Sequence, residues 1–141
     1  MATNCRLVDL RSFVDDRGRL GVIEGSDLPF AIKRMYFLYG VPVDGIRGEH
    51  GHRLLEQMIV CMNGACDVTL HDGTSEQVYH LESPAVGLYV APAMWRSLKF
   101  LKEDSVICVL ASRPFEVSDY IYHFDEFVAW SQGNMAQSVS S

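Results

Sequence analysis

The chain has no apolar run long enough to cross a bilayer. Its longest, Met58-Ile59-Val60-Cys61-Met62, is far short of the roughly 20 residues a spanning helix needs. The N-terminus carries Arg6, Asp9 and Arg11 and lacks the apolar stretch of a secretory signal, so no export is expected. Cysteine is scarce: Cys5, Cys61, Cys66 and Cys108 form no Cys-x-x-Cys pair. That argues against a disulfide framework or a thiolate metal site and favours reduced thiols in the cytoplasm. Positive charge is also short, with 12 Lys+Arg against 18 Asp+Glu and a net charge of -6. A general binder of nucleic acid polymers or of membrane surfaces needs a basic face, so both are excluded as partners. A small anionic ligand is not, because a few local arginines override the net charge. There is no internal repeat.

What is present is the composition of a globular protein: 141 residues, 48% hydrophobic and 21% charged. A chain of this size buries about 70% of its unfolded surface, enough for a core without staples. We expect a single domain over residues 1–131 and a frayed, disordered tail over 132–141, which is rich in Ser, Gln and Asn.

β signals dominate the interior. Strands are expected over 32–39, 54–62, 65–70, 77–81, 87–90, 96–101 and 105–111, punctuated by Pro84, Pro92, Pro114 and several glycines. Asn63-Gly64 is a strong hairpin signal, with 65–70 as its returning strand. Asp72-Gly73 marks another turn. Many short strands between turns predict an all-β sandwich or barrel. One short amphipathic helix is expected over 118–130, with Ser118 as its N-cap and Phe124, Phe127 and Val128 on its apolar face.

The segment Arg47-Gly48-Glu49-His50-Gly51-His52-Arg53-Leu54-Leu55-Glu56 carries the chemistry. If it is extended, His50, His52, Glu56, Met58 and Val60 share one face and two imidazoles point together into the barrel. The bland alternative, two structural histidines, is weakened by their spacing and by the flanking Gly48 and Gly51. His71, His80 and His123 have no such company. Two histidines free of metal transfer protons near neutral pH, suiting abstraction of a proton α to a carbonyl and its return to the next carbon. The enediolate between these steps needs a hydrogen-bond donor or a cation. Tyr36 and Arg47 are the candidates; Tyr36 reads equally well as a barrel-core aromatic, and Arg47 as a solvated loop residue.

The spacing His-x-His-x-x-x-Glu followed by Gly64 resembles the first motif of the cupin superfamily, in which such side chains bind a divalent ion. The second motif is altered. Gly87 and Pro92 are kept, but Met94 stands for a glycine and Ser97 for the ligand histidine, with Arg96 beside it. Fixed positive charge repels a metal. The pattern resembles a cupin that has no metal and uses its histidines otherwise.

From about residue 16 to 130 the chain resembles the nucleotide-sugar 3,4-ketoisomerases, small cupins of deoxysugar biosynthesis. The stretches that carry the resemblance are Asp16-Arg17-Gly18, Pro29-Phe30-Ala31-Ile32-Lys33-Arg34, Arg47-Gly48-Glu49-His50-Gly51-His52, Leu55-Glu56-Gln57, Asn63-Gly64, Ser83-Pro84-Ala85-Val86-Gly87-Leu88-Tyr89-Val90 and Val109-Leu110-Ala111-Ser112. The resemblance implies a cupin jelly-roll barrel, a double-stranded β-helix, that isomerises dTDP-4-keto-6-deoxyglucose to a 3-keto sugar. His50 and His52 would be its catalytic histidines and Tyr36 its active-site tyrosine. Arg17, Arg47 and Arg96 would bind the substrate. No metal or other cofactor is implied. The expected assembly is a homodimer with exchanged N-terminal strands, in a bacterial host that aminates and acylates the product for surface glycans or antibiotics. Gly51 stands where many relatives have Ala. Arg17 and Arg96 together mix two branches that differ in the C4 configuration of the product, which stays open between galacto and gluco. The alternatives are a sugar-nucleotide 3,5-epimerase-like cupin and a non-enzymatic cupin that binds a small ligand or a metal.

Overall fold

The structure, a computed structural model, describes the backbone of residues 4–140 and side chains as far as Asn134. Twelve strands and one helix follow in order: β1 (Arg6–Asp9), β2 (Arg11–Asp15), β3 (Gly18–Val22), β4 (Arg34–Leu38), β5 (Ile46–His52), β6 (Gln57–Asn63), β7 (Cys66–His71), β8 (Glu76–Leu81), β9 (Val86–Val90), β10 (Met94–Phe100), β11 (Val106–Ala111), β12 (Tyr120–Ile121) and α1 (Phe124–Ser140). Two five-stranded antiparallel sheets, ordered β1-β9-β6-β11-β4 and β12-β5-β10-β7-β8, face each other, and β2 and β3 form a separate hairpin. From β4 to β12 the chain changes sheet at every connection but β7–β8, which is how a jelly roll closes its barrel. This is the all-β cupin architecture expected.

The turn at Asn63-Gly64 corrects one expectation. It does not close a hairpin, since β6 pairs with β9 and β11 whereas β7 pairs with β10 and β8. It is a corner between the sheets. Gly64 has φ 84° and lies against Ser105, where a Cβ would have no room. The Ser105 hydroxyl accepts from the Ala65 N–H at 3.2 Å, and the Asn63 amide donates to the Asp104 carbonyl at 2.9 Å. Two corners that cross between the sheets are thus tied side by side. A turn dipeptide reports positive φ, not which strand comes next. Asp72-Gly73 does close a hairpin, β7–β8.

Inside, Ile59, Cys61, Val68, Leu70, Leu88, Val90, Leu98, Phe100, Ile107 and Val109 form the core between the sheets. Met58, Val60, Tyr89 and Leu110 face the other way and pack with Leu28 and Phe30 from the N-terminal segment.

The helix starts later than predicted. Ser118 lies in a short 3₁₀ turn, Val117–Asp119, and is no N-cap. Asp125 and Glu126 occupy the first turn of α1, where the helix dipole favours negative charge. The backbone of 132–140, read as a frayed tail, continues this helix; Ser141 lies outside the described residues. The helix is docked by Phe127, which is fully buried with its ring 6.0 Å from those of Trp95 and Trp130, and by the Ser131 hydroxyl, which donates to the Asp72 carbonyl at 2.7 Å.

Phe127 lies directly on Gly51, so that a Cβ there would come within 2.5 Å of the ring. Gly51 therefore admits the helix. Gly51→Ala should cost about 1–3 kcal/mol in urea unfolding. Phe127→Leu should cost less in that background than in the native chain, the signature of a direct clash.

Candidate active site

β5 is built to aim side chains. Its pairing with β10 slips between Arg96 and Leu98, which face His50 and Arg47, leaving one extra residue on β5. Gly48, at φ 71°, takes the conformation that such a bulge requires. Without it, strict alternation would send Arg47 and His50 to opposite faces. With it, both face inward, beside Arg96 and Leu98 on β10.

The two sheets then enclose a cavity of about 300 Å³ lined by Arg34, Tyr36, Arg47, His50, Arg96 and Tyr120, among others. His50 and His52 share a face as predicted. Their rings stand perpendicular, with centroids 4.7 Å apart. Tyr120 flanks both, at 5.0 and 4.3 Å. His52 is fully buried behind His50, and its Nδ1 lies 3.1 Å from the Asp119 carboxylate. Asp119 is held by the Leu54 and Leu55 N–H groups, which donate to it at 2.7 and 3.3 Å. Neither histidine Nε2 has a hydrogen-bond partner among the described residues.

Burial, then the charge of Arg96 and then that of Arg34, pull the His50 imidazole down to about 4. His52 is pushed lower still by burial, Arg96, His50 and Arg34. Both are therefore neutral at pH 7.

Arg96 is itself buried. Burial lowers it to about 10, so it stays charged at neutral pH. No carboxylate lies within ion-pairing distance of it among the described residues. Its guanidinium donates to the Gln57 side-chain carbonyl and, at 3.0 Å, to the Met94 carbonyl. The Gln57 amide donates in turn to the Tyr36 hydroxyl at 2.9 Å. Tyr36 thus accepts from Gln57 and keeps its own proton for another acceptor. Burial raises Tyr36, so the phenol stays protonated. The arrangement offers two neutral imidazoles, one phenol donor and a fixed cation around one space, which is acid–base chemistry on a carbon next to a carbonyl.

Of the residues singled out in the sequence, Tyr36, Arg47, His50 and Arg96 line the cavity and His52 stands behind His50. Arg17 does not reach it. It sits on the β2–β3 turn with its side chain 86% exposed, paired with Asp15 at 2.7 Å. The shared face from His50 to Val60 is also corrected. The chain turns at 53–56 and β6 restarts with Gln57 and Ile59 on the cavity, while Met58 and Val60 face the N-terminal segment. Glu56 is turned away, accepting from the Tyr89 hydroxyl at 2.6 Å. Among the described residues no three His, Cys, Asp or Glu side chains converge as a metal site. Arg34, Gln57, Asp119 and Tyr120 were missed. Arg34 shares the inward face of β4 with Tyr36, a signal that strand alternation contained; Asp119 lies 67 residues from His52 and left none.

Fold and site together define a cupin whose inward face carries imidazoles, a phenol and guanidinium cations. A family model described as FdtA: WxcM-like, C-terminal, matches residues 3–132, and the chain belongs to that family. It is 42% identical over 123 residues to the TDP-4-oxo-6-deoxy-alpha-D-glucose-3,4-oxoisomerase of Aneurinibacillus thermoaerophilus, covering 86% of this chain and 88% of that one. The structure matches QdtA, a sugar 3,4-ketoisomerase from Thermoanaerobacterium thermosaccharolyticum solved with TDP, with TM-score 0.90 and 36% identity over 95% of this chain and 98% of the other. A His-to-Asn variant of QdtA has been solved with TDP-4-keto-6-deoxyglucose. The TDP-quinovose 3,4-ketoisomerase WlaRB from Campylobacter jejuni matches with TM-score 0.84 and 37% identity, over 89% and 98%.

The depressed His50 has a thermodynamic consequence. An unfolded histidine protonates near 6.5 and the folded one only near 4, so the unfolded chain binds more protons in that window. Stability contributed by neutral His50 should be complete above about pH 6.5 and be lost as pH falls toward 4. Urea midpoints measured at pH 7.5 and 5 should differ, and His50→Gln should narrow the difference.

Proposed function

We propose that the chain interconverts dTDP-4-keto-6-deoxyglucose and its 3-keto isomer by moving a proton between C3 and C4. The observation that carries this reading is the pair of neutral, unpartnered imidazole Nε2 atoms beside a buried, uncompensated guanidinium. A neutral imidazole takes the C3 proton. Negative charge gathers on the C4 oxygen as the enediolate forms, within reach of the Tyr36 phenol or the Arg96 guanidinium. The C4 oxygen gains a proton as the 3-hydroxyl loses one, C4 receives a proton on carbon, and the carbonyl is left at C3 with a hydroxyl at C4. Two imidazoles 4.7 Å apart on one strand face suit transfer between adjacent carbons, which favours isomerisation over the 3,5-epimerase alternative. Arg47 and Arg34, without carboxylate partners in the cavity, suit the diphosphate or the sugar oxygens.

The same reading makes residues 1–131 one cupin domain and the assembly a homodimer that exchanges its N-terminal strands. Phe13, Val14 and Leu20 on the β2–β3 hairpin are exposed at 59, 64 and 61%. Next to the hairpin lies an apolar groove of about 600 Å³, lined by Leu10, Ile23, Met35, Val60, Met62 and Leu110 among others. Exchange of the hairpin is also what would carry Arg17 to a cavity, that of the partner. Free Cys61 and Cys66 accord with a cytoplasmic enzyme, and no described helix is long and apolar enough to cross a membrane.

Incubation with dTDP-4-keto-6-deoxyglucose in D₂O, followed by NMR, should show deuterium entering the ring and a 3-keto product; an unchanged sugar would defeat the proposal. His50→Asn and His52→Asn should each lower turnover by about 10²–10⁴-fold, the usual worth of a positioned acid or base, with TDP binding nearly intact. Phe13→Asp with Leu20→Asp should sediment as a monomer where the native chain sediments as a dimer.

A further inference from the structure

Asp119 is one of two charged side chains buried among the described residues; the other is Arg96. Its place is over-determined. The Leu54 N–H donates to Oδ1 at 2.7 Å and the Leu55 N–H to Oδ2 at 3.3 Å. The segment that carries it is clamped from both sides by Arg53, whose guanidinium donates to the Ser118 carbonyl at 2.7 Å and the Tyr120 carbonyl at 3.2 Å. Oδ2 then meets His52 Nδ1 at 3.1 Å. A carboxylate that already takes two backbone donors is an acceptor, so the proton of that contact lies on Nδ1.

We propose that Asp119 is a positioning residue that fixes His52 as its Nδ1–H tautomer and so makes His52 Nε2 a proton acceptor. Nε2 is buried, has a lone pair in that tautomer, and meets no donor among the described residues. A buried polar atom left open in this way is where a reacting group or a water belongs. Asp119 does a second thing once the proton has moved. The imidazolium then formed sits against a carboxylate in a water-poor pocket, an ion pair that exists only after transfer. Among the described residues His50 has no such partner. The two histidines are therefore unlike: His52 is oriented as a base, and His50, which lines the cavity, is free to hold its proton on either nitrogen. Which proton His52 takes rests on the isomerase reading; its tautomer does not.

Asp119→Asn tests this sharply. The shorter bond, from Leu54, keeps the amide oxygen at the Oδ1 place. The amide nitrogen must then face His52 Nδ1 as a donor. His52 is forced to carry its proton on Nε2, where it can no longer accept. ¹⁵N NMR of the labelled enzyme at neutral pH should show His52 as the Nδ1–H tautomer in the native chain and as Nε2–H in Asp119→Asn. Turnover in D₂O should fall at least 100-fold in kcat with KM changed less than threefold, and Asp119→Glu, which keeps an acceptor, should recover the native tautomer and part of the rate. A native His52 protonated on Nε2 would overturn the proposal without any variant. So would an Asp119→Asn enzyme that keeps kcat within threefold and the same pH profile. If the native enzyme shows no turnover, the isomerase reading fails, and the tautomer measurement still decides the role of Asp119.

Discussion

The charge on Arg96 is the constraint around which the site is organised. Burying a guanidinium with no carboxylate beside it is costly, and natural cores avoid it unless something is gained. Here its hydrogen bonds go to neutral acceptors, the Gln57 side-chain carbonyl and the Met94 carbonyl, and the Asp119 carboxylate acts on it from beyond ion-pairing distance. The charge has no ion-pair partner among the described residues, and its field reaches Tyr36, His50 and His52. It lowers both histidines, after burial, so that the site rests in its basic form. It also tends to ionise Tyr36, against the stronger effect of burial, so that the phenol stays a donor. A substrate that develops an oxyanion supplies the missing counter-charge, and the interaction is strongest when that charge is greatest.

The fold delivers this field to a small space through backbone detail. His50 is the register partner of Arg96 across β5 and β10. That pairing places an imidazole beside a cation, and it would leave Arg47 outside if β5 were regular. The bulge at Gly48 brings Arg47 in; Gly51, three residues on, lets Phe127 close the back of the same strand. Two glycines in one seven-residue strand thus do opposite things. One turns Arg47 toward the cavity, and the other gives up a side chain so the helix can cover the outward face. Glycine weakens strands, and these two are tolerated because each allows a close approach that another residue would block.

Much of this was legible from the sequence, for a physical reason. Strand alternation is local, so His50 with His52 on one face follows from spacing alone, whereas Tyr36 reads there equally as a donor or a core aromatic. The β content follows from the β-branched and aromatic runs between turns. What local pattern cannot carry is the direction of a connection. Asn63-Gly64 looks like a hairpin because the dihedral angles are the same whether the next strand pairs with the last or crosses to the other sheet. Glu56 looked inward because the turn at 53–56 breaks the count. Asp119 was invisible because its meaning lies in a contact 67 residues away. Arg17 is a different case. Within one chain it is a solvent-exposed residue paired with its neighbour Asp15.

The exposed hairpin and the charge of the cavity bear on the same problem. A cavity with Arg34, Arg47 and Arg96 and no opposing carboxylate within its lining is electrostatically poised for an anion. Yet Arg17, on the turn of a hairpin that pairs with no other strand among the described residues, points into solvent. A hairpin with Phe13, Val14 and Leu20 uncovered gains by packing against another surface. Strand exchange would cover that apolar area and add Arg17 at the edge of a second cavity in one step. The apolar gain would then offset the repulsion of bringing one more positive charge to a site already rich in it. With the exchange proposed above, the hydrophobic effect would drive the assembly, and the arginines it gathers would be neutralised by a bound diphosphate.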